Sequence, residues 1–152
     1  MLRAVAGGWG IMRRRLLTFD AGHPRRHTVP ISVALDHAAR RVQFTIDGPL
    51  DTAEMFSALD DAFGQMDGKG GYDVLSDHRE LSAPATPEQI KQLMSRLRTG
   101  AQVFAGRKVA IVVVTEASYG MIRLLSAHAE QIGIDVRAFR DMPAALECLD
   151  AR

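Results

Sequence analysis

One stretch of the 152-residue chain, residues 108–149, constrains the fold more than any other. It starts with a nearly unbroken apolar run, Val109 to Val114, and continues with an amphipathic segment from about Ser118 to Gln131. A second short apolar segment, Asp135–Phe139, precedes a last helix that Asp141 caps. A strand that is apolar on both faces and is followed by helix and strand is typical of a parallel sheet covered by helices. We therefore predict an α/β fold.

In the part of the chain before this stretch, the sequence patterns predict a hairpin and two further helices. Ile31–Leu35 and Val42–Ile46 alternate apolar and polar residues on either side of a short polar turn, which indicates an antiparallel hairpin. Asp51 or Thr52 is expected to cap the first helix, and the sequence Thr86-Pro87-Glu88-Gln89 carries the N-terminal signature of the next. A third strand, Tyr72–Asp77, lies between them and leads into a predicted loop, His78–Ala85. The predicted order is ββαβαβαβα in a mixed sheet.

The net charge of +1 conceals an uneven distribution. Residues 1–28 contain six arginines and one aspartate, so this segment carries +5 and the remainder −4. We predict a basic, disordered tail over 1–28, or sequence upstream of the true start, and one folded domain over 29–152. The alternative is an arm that binds nucleic acid or an anionic membrane.

Composition excludes several classes of protein. The single cysteine, Cys148, cannot form an internal disulfide, and this low cysteine content indicates a reducing cytoplasm. The apolar neighbours of Cys148 indicate a small buried residue. No apolar run reaches the roughly 20 residues that span a bilayer. We predict no metal site, because the histidines do not converge, and no cofactor. The few aromatic residues offer no stacking platform for nucleic acid.

The order of elements and several short motifs resemble the SpoIIAA-like (STAS/SEC14-type) small proteins of bacteria. The motifs are the hairpin, the strand YDVLSDHR with Asp77 and Arg79 at its end, and GRKVAIVV. The helix start Tyr119-Gly120-Met121-x-Arg123 and the segment VRAFRDMPAALECL follow. The resemblance covers about four fifths of the chain, from Ile31 to Leu149.

The resemblance implies a non-enzymatic, regulatory STAS-like domain that binds a protein partner or a small molecule. Anti-sigma-factor antagonists of this fold carry a phosphorylatable serine in a D-S-S-G-type motif, which this sequence lacks. Ser82 is the nearest candidate for phosphorylation, since Thr86 is better explained as a helix cap. A homodimer is left open.

Polar residues at the predicted strand ends form the candidate site. Ligands of open α/β sheets bind beyond the carboxyl ends of the strands. We expect one rim for a ligand or a partner, with two alternatives: an enzyme with His78 as general base, and a carrier of apolar ligands or lipids with a cavity of several hundred Å³. The predicted rim consists of Asp77, His78, Arg79, Thr115, Ser118, Tyr119 and Arg123.

Overall fold

The computed structural model describes Gly10–Ile11, residues 30–66 and residues 70–151. These parts of the chain confirm the predicted order ββαβαβαβα, and a two-residue strand precedes it. The elements are β1 (Gly10–Ile11), β2 (Ile31–Asp36), β3 (Arg41–Gly48), α1 (Thr52–Gln65), β4 (Asp73–Leu81), α2 (Pro87–Phe104), β5 (Lys108–Val112), α3 (Glu116–Glu130), β6 (Asp135–Phe139) and α4 (Met142–Asp150).

The sheet places its strands in the same order as the chain, β1-β2-β3-β4-β5-β6. The pairs β1–β2 and β2–β3 are antiparallel, and the pairs from β3 to β6 are parallel. Three successive crossovers therefore move across the sheet in one direction. Because such crossovers are right-handed, α1, α2 and α3 all lie on the same face of the sheet.

Two hydrophobic clusters lie on the two faces of the sheet. The larger one joins α1, α2 and α3 to β2–β6 through residues such as Leu59, Met94 and Leu125. The smaller one packs Ala145 and Leu149 of α4 on the opposite face, against side chains of β4 and β5. One helix thus covers that face where three cover the other.

Side-chain caps fix where the helices begin. Asp51 accepts a hydrogen bond from the Glu54 backbone amide, and Asp141 accepts one from Ala144, as the sequence predicts. Thr86 and Gln89 form the full capping box at the start of α2. The third helix begins two residues earlier than predicted because Thr115 is its cap.

Two parts of the described chain differ from the prediction. Strand β4 continues to Leu81, although residues from His78 onward were predicted to form a loop. The polar run His78–Glu80 resembles a loop in sequence, but β4 continues beside the end of β3, where Glu80 pairs with Asp47 and Leu81 with Gly48. Within 1–28, Gly10–Ile11 forms an edge strand on β2, where no strand was predicted. The other residues of that segment lie outside the described part of the chain.

Candidate functional site

Strand β4 is irregular at the position of His78. Between Asp77 and Glu80 it advances three residues, whereas its neighbour β3 advances only two, from Thr45 to Asp47. Such a bulge adds one residue to a strand and redirects the side chains around it. The three polar residues Asp77, His78 and Arg79 therefore lie inside a strand at its irregular point, and they do not share one face.

A cavity of about 100 Å³ lies between the helix-bearing face of the sheet and α1, α2 and α3. Its lining is apolar except for Ser76, His78 and Gln89. Three of the lining residues, Leu50, Ala85 and Gln89, are partly exposed and follow the carboxyl ends of β3 and β4 in the chain. The volume is well below the several hundred Å³ expected of a typical carrier pocket.

Two polar side chains of β4 meet on the wall of this cavity. Residues 74, 76 and 78 alternate onto the same face of the strand, so Ser76 and His78 follow Val74 into the cavity lining. The Ser76 Oγ and the His78 Nε2 lie 2.8 Å apart and share a hydrogen bond. Burial lowers the pKa of His78 to about 4, although the charge of Asp77 partly offsets this effect. The imidazole is therefore neutral at physiological pH.

The Asp77 and Arg79 side chains form an ion pair. Asp77 shares the strand face of Leu75, which packs against α4. Its carboxylate accepts three hydrogen bonds from Arg79: two from the guanidinium, at 2.8 and 2.9 Å, and one from the backbone amide. The hydrogen bonds from the Arg79 side chain are the main reason that the pKa of Asp77 lies below its usual value, and burial acts in the opposite direction. Arg79 remains about half exposed.

The start of α3 holds the other predicted site residues in separate roles. Thr115 caps the helix by accepting a hydrogen bond from the backbone amide of Ser118, whose side chain is buried. Tyr119 packs beneath the guanidinium of Arg140, which lies 4.2 Å from the ring centroid. Arg123 is exposed on the helix surface. Within the described ranges no hydrogen bond or ion pair joins these residues to Asp77, His78 or Arg79.

Ser82, the predicted phosphorylation candidate, lies just after β4 in an exposed position. Its backbone amide donates a hydrogen bond to the carbonyl of Gly48, which continues the pairing of β3 with β4. Phosphorylation of this exposed residue stays a prediction.

Sequence reasoning missed the cavity wall. Ser76 was assigned to a strand without a function, and His78 was grouped with Asp77 and Arg79. Alternation continued past Asp77 would have placed Val74, Ser76 and His78 on one face.

In the ranges that the structure describes, no cluster of acidic, histidine or cysteine side chains has the geometry to hold a metal ion. Among the described helices none is long and apolar enough to cross a bilayer.

Comparison with known proteins gives matches among solved structures. No protein-family model matches the chain, and no curated protein sequence matches it. The fold is similar to the crystal structure of an uncharacterised protein of the DUF3478 family from Shewanella loihica PV-4, described as having a SpoIIAA-like fold. The two share 21% identity over 78% of this chain and 91% of that chain, with a TM-score of 0.52. The chain therefore has a SpoIIAA-like fold.

Proposed function

We propose that this SpoIIAA-like domain is a non-enzymatic regulatory module that binds a small apolar ligand between its sheet and helices α1–α3. The apolar cavity of about 100 Å³ carries this proposal. An empty apolar cavity of roughly 150 Å³ in another protein stays dry and binds benzene. The cavity here is smaller, so we expect a ligand no larger than a single small ring or a short alkyl chain. The single cysteine is consistent with a reducing compartment, so we place this function in the cytoplasm.

Binding fits the cavity wall better than catalysis does. A serine within hydrogen-bond reach of a histidine is also the arrangement of an activated nucleophile and its base. A general base works best with a pKa near the operating pH, and that of His78 is lowered to about 4. In the described part of the chain no further side chain hydrogen-bonds the His78 ring to orient it. We therefore assign the pair to recognition of a ligand.

Titration with toluene tests the proposal, with methyl NMR spectra as the readout. We expect saturable shifts for lining residues such as Ile111 and Leu125. Val74→Phe places a ring in the cavity from its β4 wall, and we expect it to abolish these shifts. The matched control is Leu146→Phe, which adds a ring on α4, at the other face of the sheet. Absence of saturable shifts in the wild-type protein would refute the proposal, as would unchanged binding by the Val74 variant.

A second candidate function is docking of a protein partner at the carboxyl ends of the strands. Val114 is 57% exposed just before Thr115, the cap of α3, and Arg79 on β4 and Arg123 on α3 are exposed. Arginine is enriched at protein interfaces.

Pull-down from the native host, followed by mass spectrometry, tests this second function. We expect Val114→Asp and Arg123→Glu to lose any specific partner. Arg137→Glu is the control, since Arg137 lies on β6 and pairs with Asp135. Retention of every partner by both variants would exclude this surface as the interface.

A further inference from the structure

The wall of the cavity provides hydrogen-bonding capacity at one place. Gln89 is the third polar lining residue, and both ends of its amide are held by the backbone: Oε1 accepts from the Thr86 amide and Nε2 donates to the Leu50 carbonyl. The Ser76 and His78 side chains hydrogen-bond only to each other among the described residues, so they have more capacity to meet the polar part of a ligand. All other lining side chains are apolar.

The pair has one donor and one acceptor to spare, whichever way its shared proton lies. If Ser76 donates to Nε2, the second ring nitrogen of His78 carries a proton and the serine oxygen can accept. If Nε2 donates to Ser76, the serine hydroxyl can donate and the second ring nitrogen can accept. That nitrogen makes no hydrogen bond to the described residues. A hydroxyl group, which both donates and accepts, matches either arrangement.

The charges around the cavity disfavour ionised ligands. The lining contains no lysine, arginine, aspartate or glutamate. The charged residues nearest to His78 in sequence are Asp77 and Arg79. Their side chains pair with each other and project from the opposite face of β4, away from the cavity. A carboxylate at Ser76 would need a protonated His78, and burial opposes that protonation. An unpaired charge in an apolar cavity is strongly unfavourable.

We infer that the ligand is a small neutral molecule with one hydroxyl group, such as a simple phenol or a short alcohol, and that Ser76 and His78 select it. This inference rests on the proposed function and adds the class of ligand. Its apolar part occupies the space toward Ile111 and Leu125, and its hydroxyl bonds to the pair on β4.

Three probes with the same ring and methyl group test the inference at neutral pH: toluene, 4-methylphenol and 4-methylbenzoate. We expect the wild-type protein to bind 4-methylphenol about five-fold more tightly than toluene, the gain of one net hydrogen bond. We expect 4-methylbenzoate to bind at least about a hundred-fold more weakly than 4-methylphenol, because its charge is buried unpaired.

The double variant Ser76→Ala/His78→Leu removes both members of the pair. Replacing both partners by apolar groups is nearly neutral for stability, so the variant is expected to fold. It should retain its affinity for toluene and lose the preference for 4-methylphenol. Ser76→Ala alone, which keeps the imidazole, should lose part of that preference.

The outcomes separate the inference from the proposed function. If toluene binds but 4-methylphenol binds no better, or if the double variant keeps the preference, the inference is overturned and the proposed function stands. If 4-methylbenzoate binds as well as 4-methylphenol, the requirement for a neutral ligand is overturned. If none of the probes shifts the cavity methyl resonances, both the inference and the proposed function fail.

Discussion

Two adjacent residues of β4 show how strongly one step along a strand changes the environment of a side chain. His78 lines an apolar cavity, and burial depresses its pKa to about 4. Asp77 lies on the other face, and the hydrogen bonds from Arg79 keep the pKa of Asp77 below its usual value. The sequence DHR suggests one polar cluster. Strand alternation places His78 on one face of β4 and the paired Asp77 and Arg79 on the other. A strand that is expected to end at Asp77 does not predict this separation.

His78 should make folding stability depend on pH in mild acid. Its folded pKa, about 4, lies below its unfolded value of 6.5, so the unfolded chain takes up the proton first as the pH falls. Stability is unaffected above pH 6.5 and decreases from there down to about pH 4. A shift of this size corresponds to a loss of about 3 kcal/mol.

Urea denaturation across this pH range measures the effect in the wild-type protein and in His78→Gln. The unfolding free energy of the wild type, relative to that of His78→Gln, should be constant above pH 6.5 and should decrease by about 3 kcal/mol between pH 6.5 and pH 4. His128→Gln is the control, because His128 is exposed on α3. An identical pH dependence in wild type and His78→Gln would show that the imidazole titrates normally.

Strands and helices were easier to predict than the site because their signals are local. The Thr86–Gln89 box identifies the start of α2 from four residues, and the apolar run before α3 identifies a strand buried on both faces. The bulge in β4 arises from pairing with β3, more than 30 residues earlier in the chain. Pairing of that kind is not encoded in the strand's own pattern. The cavity likewise depends on how three helices lie over one sheet.

The start of α2 should be sensitive to loss of its cap. Thr86→Ala removes the acceptor for the Gln89 amide, and we expect it to lower the unfolding free energy by about 1 kcal/mol. Thr99→Ala, later in the same helix on its exposed surface, is expected to be neutral or slightly stabilising because alanine favours helix. Chemical denaturation of both variants provides the comparison. A Thr86 variant as stable as the wild type would mean that the cap does not anchor the helix.

The molecule as a whole is asymmetric about its sheet. Three crossover helices and the cavity lie on one face, while α4 covers β4 and β5 on the other. Lys108 at the start of β5 fixes the end of α4 by donating to the carbonyls of Cys148 and Ala151. The common face of the three crossover helices follows from the order of the parallel strands and the handedness of the crossovers. The position of α4 does not, because α4 does not connect two of the described strands.

Leu149 should be important for stability and unimportant for the ligand. It is 5% exposed and packs in the small cluster under α4. Leu149→Ala should lower the unfolding free energy by roughly 2–5 kcal/mol, as buried leucines do. Affinity for toluene should be unchanged, because the cavity lies across the sheet. Glu147→Ala, exposed on the same helix, is the control for helix effects; a large loss of toluene binding in the Leu149 variant would show that the two faces are coupled.

The packing of α4 back onto earlier strands has a consequence during synthesis. Each crossover helix can cover the sheet as soon as its flanking strands have left the ribosome. The side chains of Leu75, Ala110 and Val112 stay uncovered until α4 has emerged, because α4 lies some 30 to 70 residues later in the chain. Until then the nascent domain presents an apolar strip on one side. Transiently exposed apolar surface of this kind promotes aggregation during folding, and α4 removes it by packing on the strip.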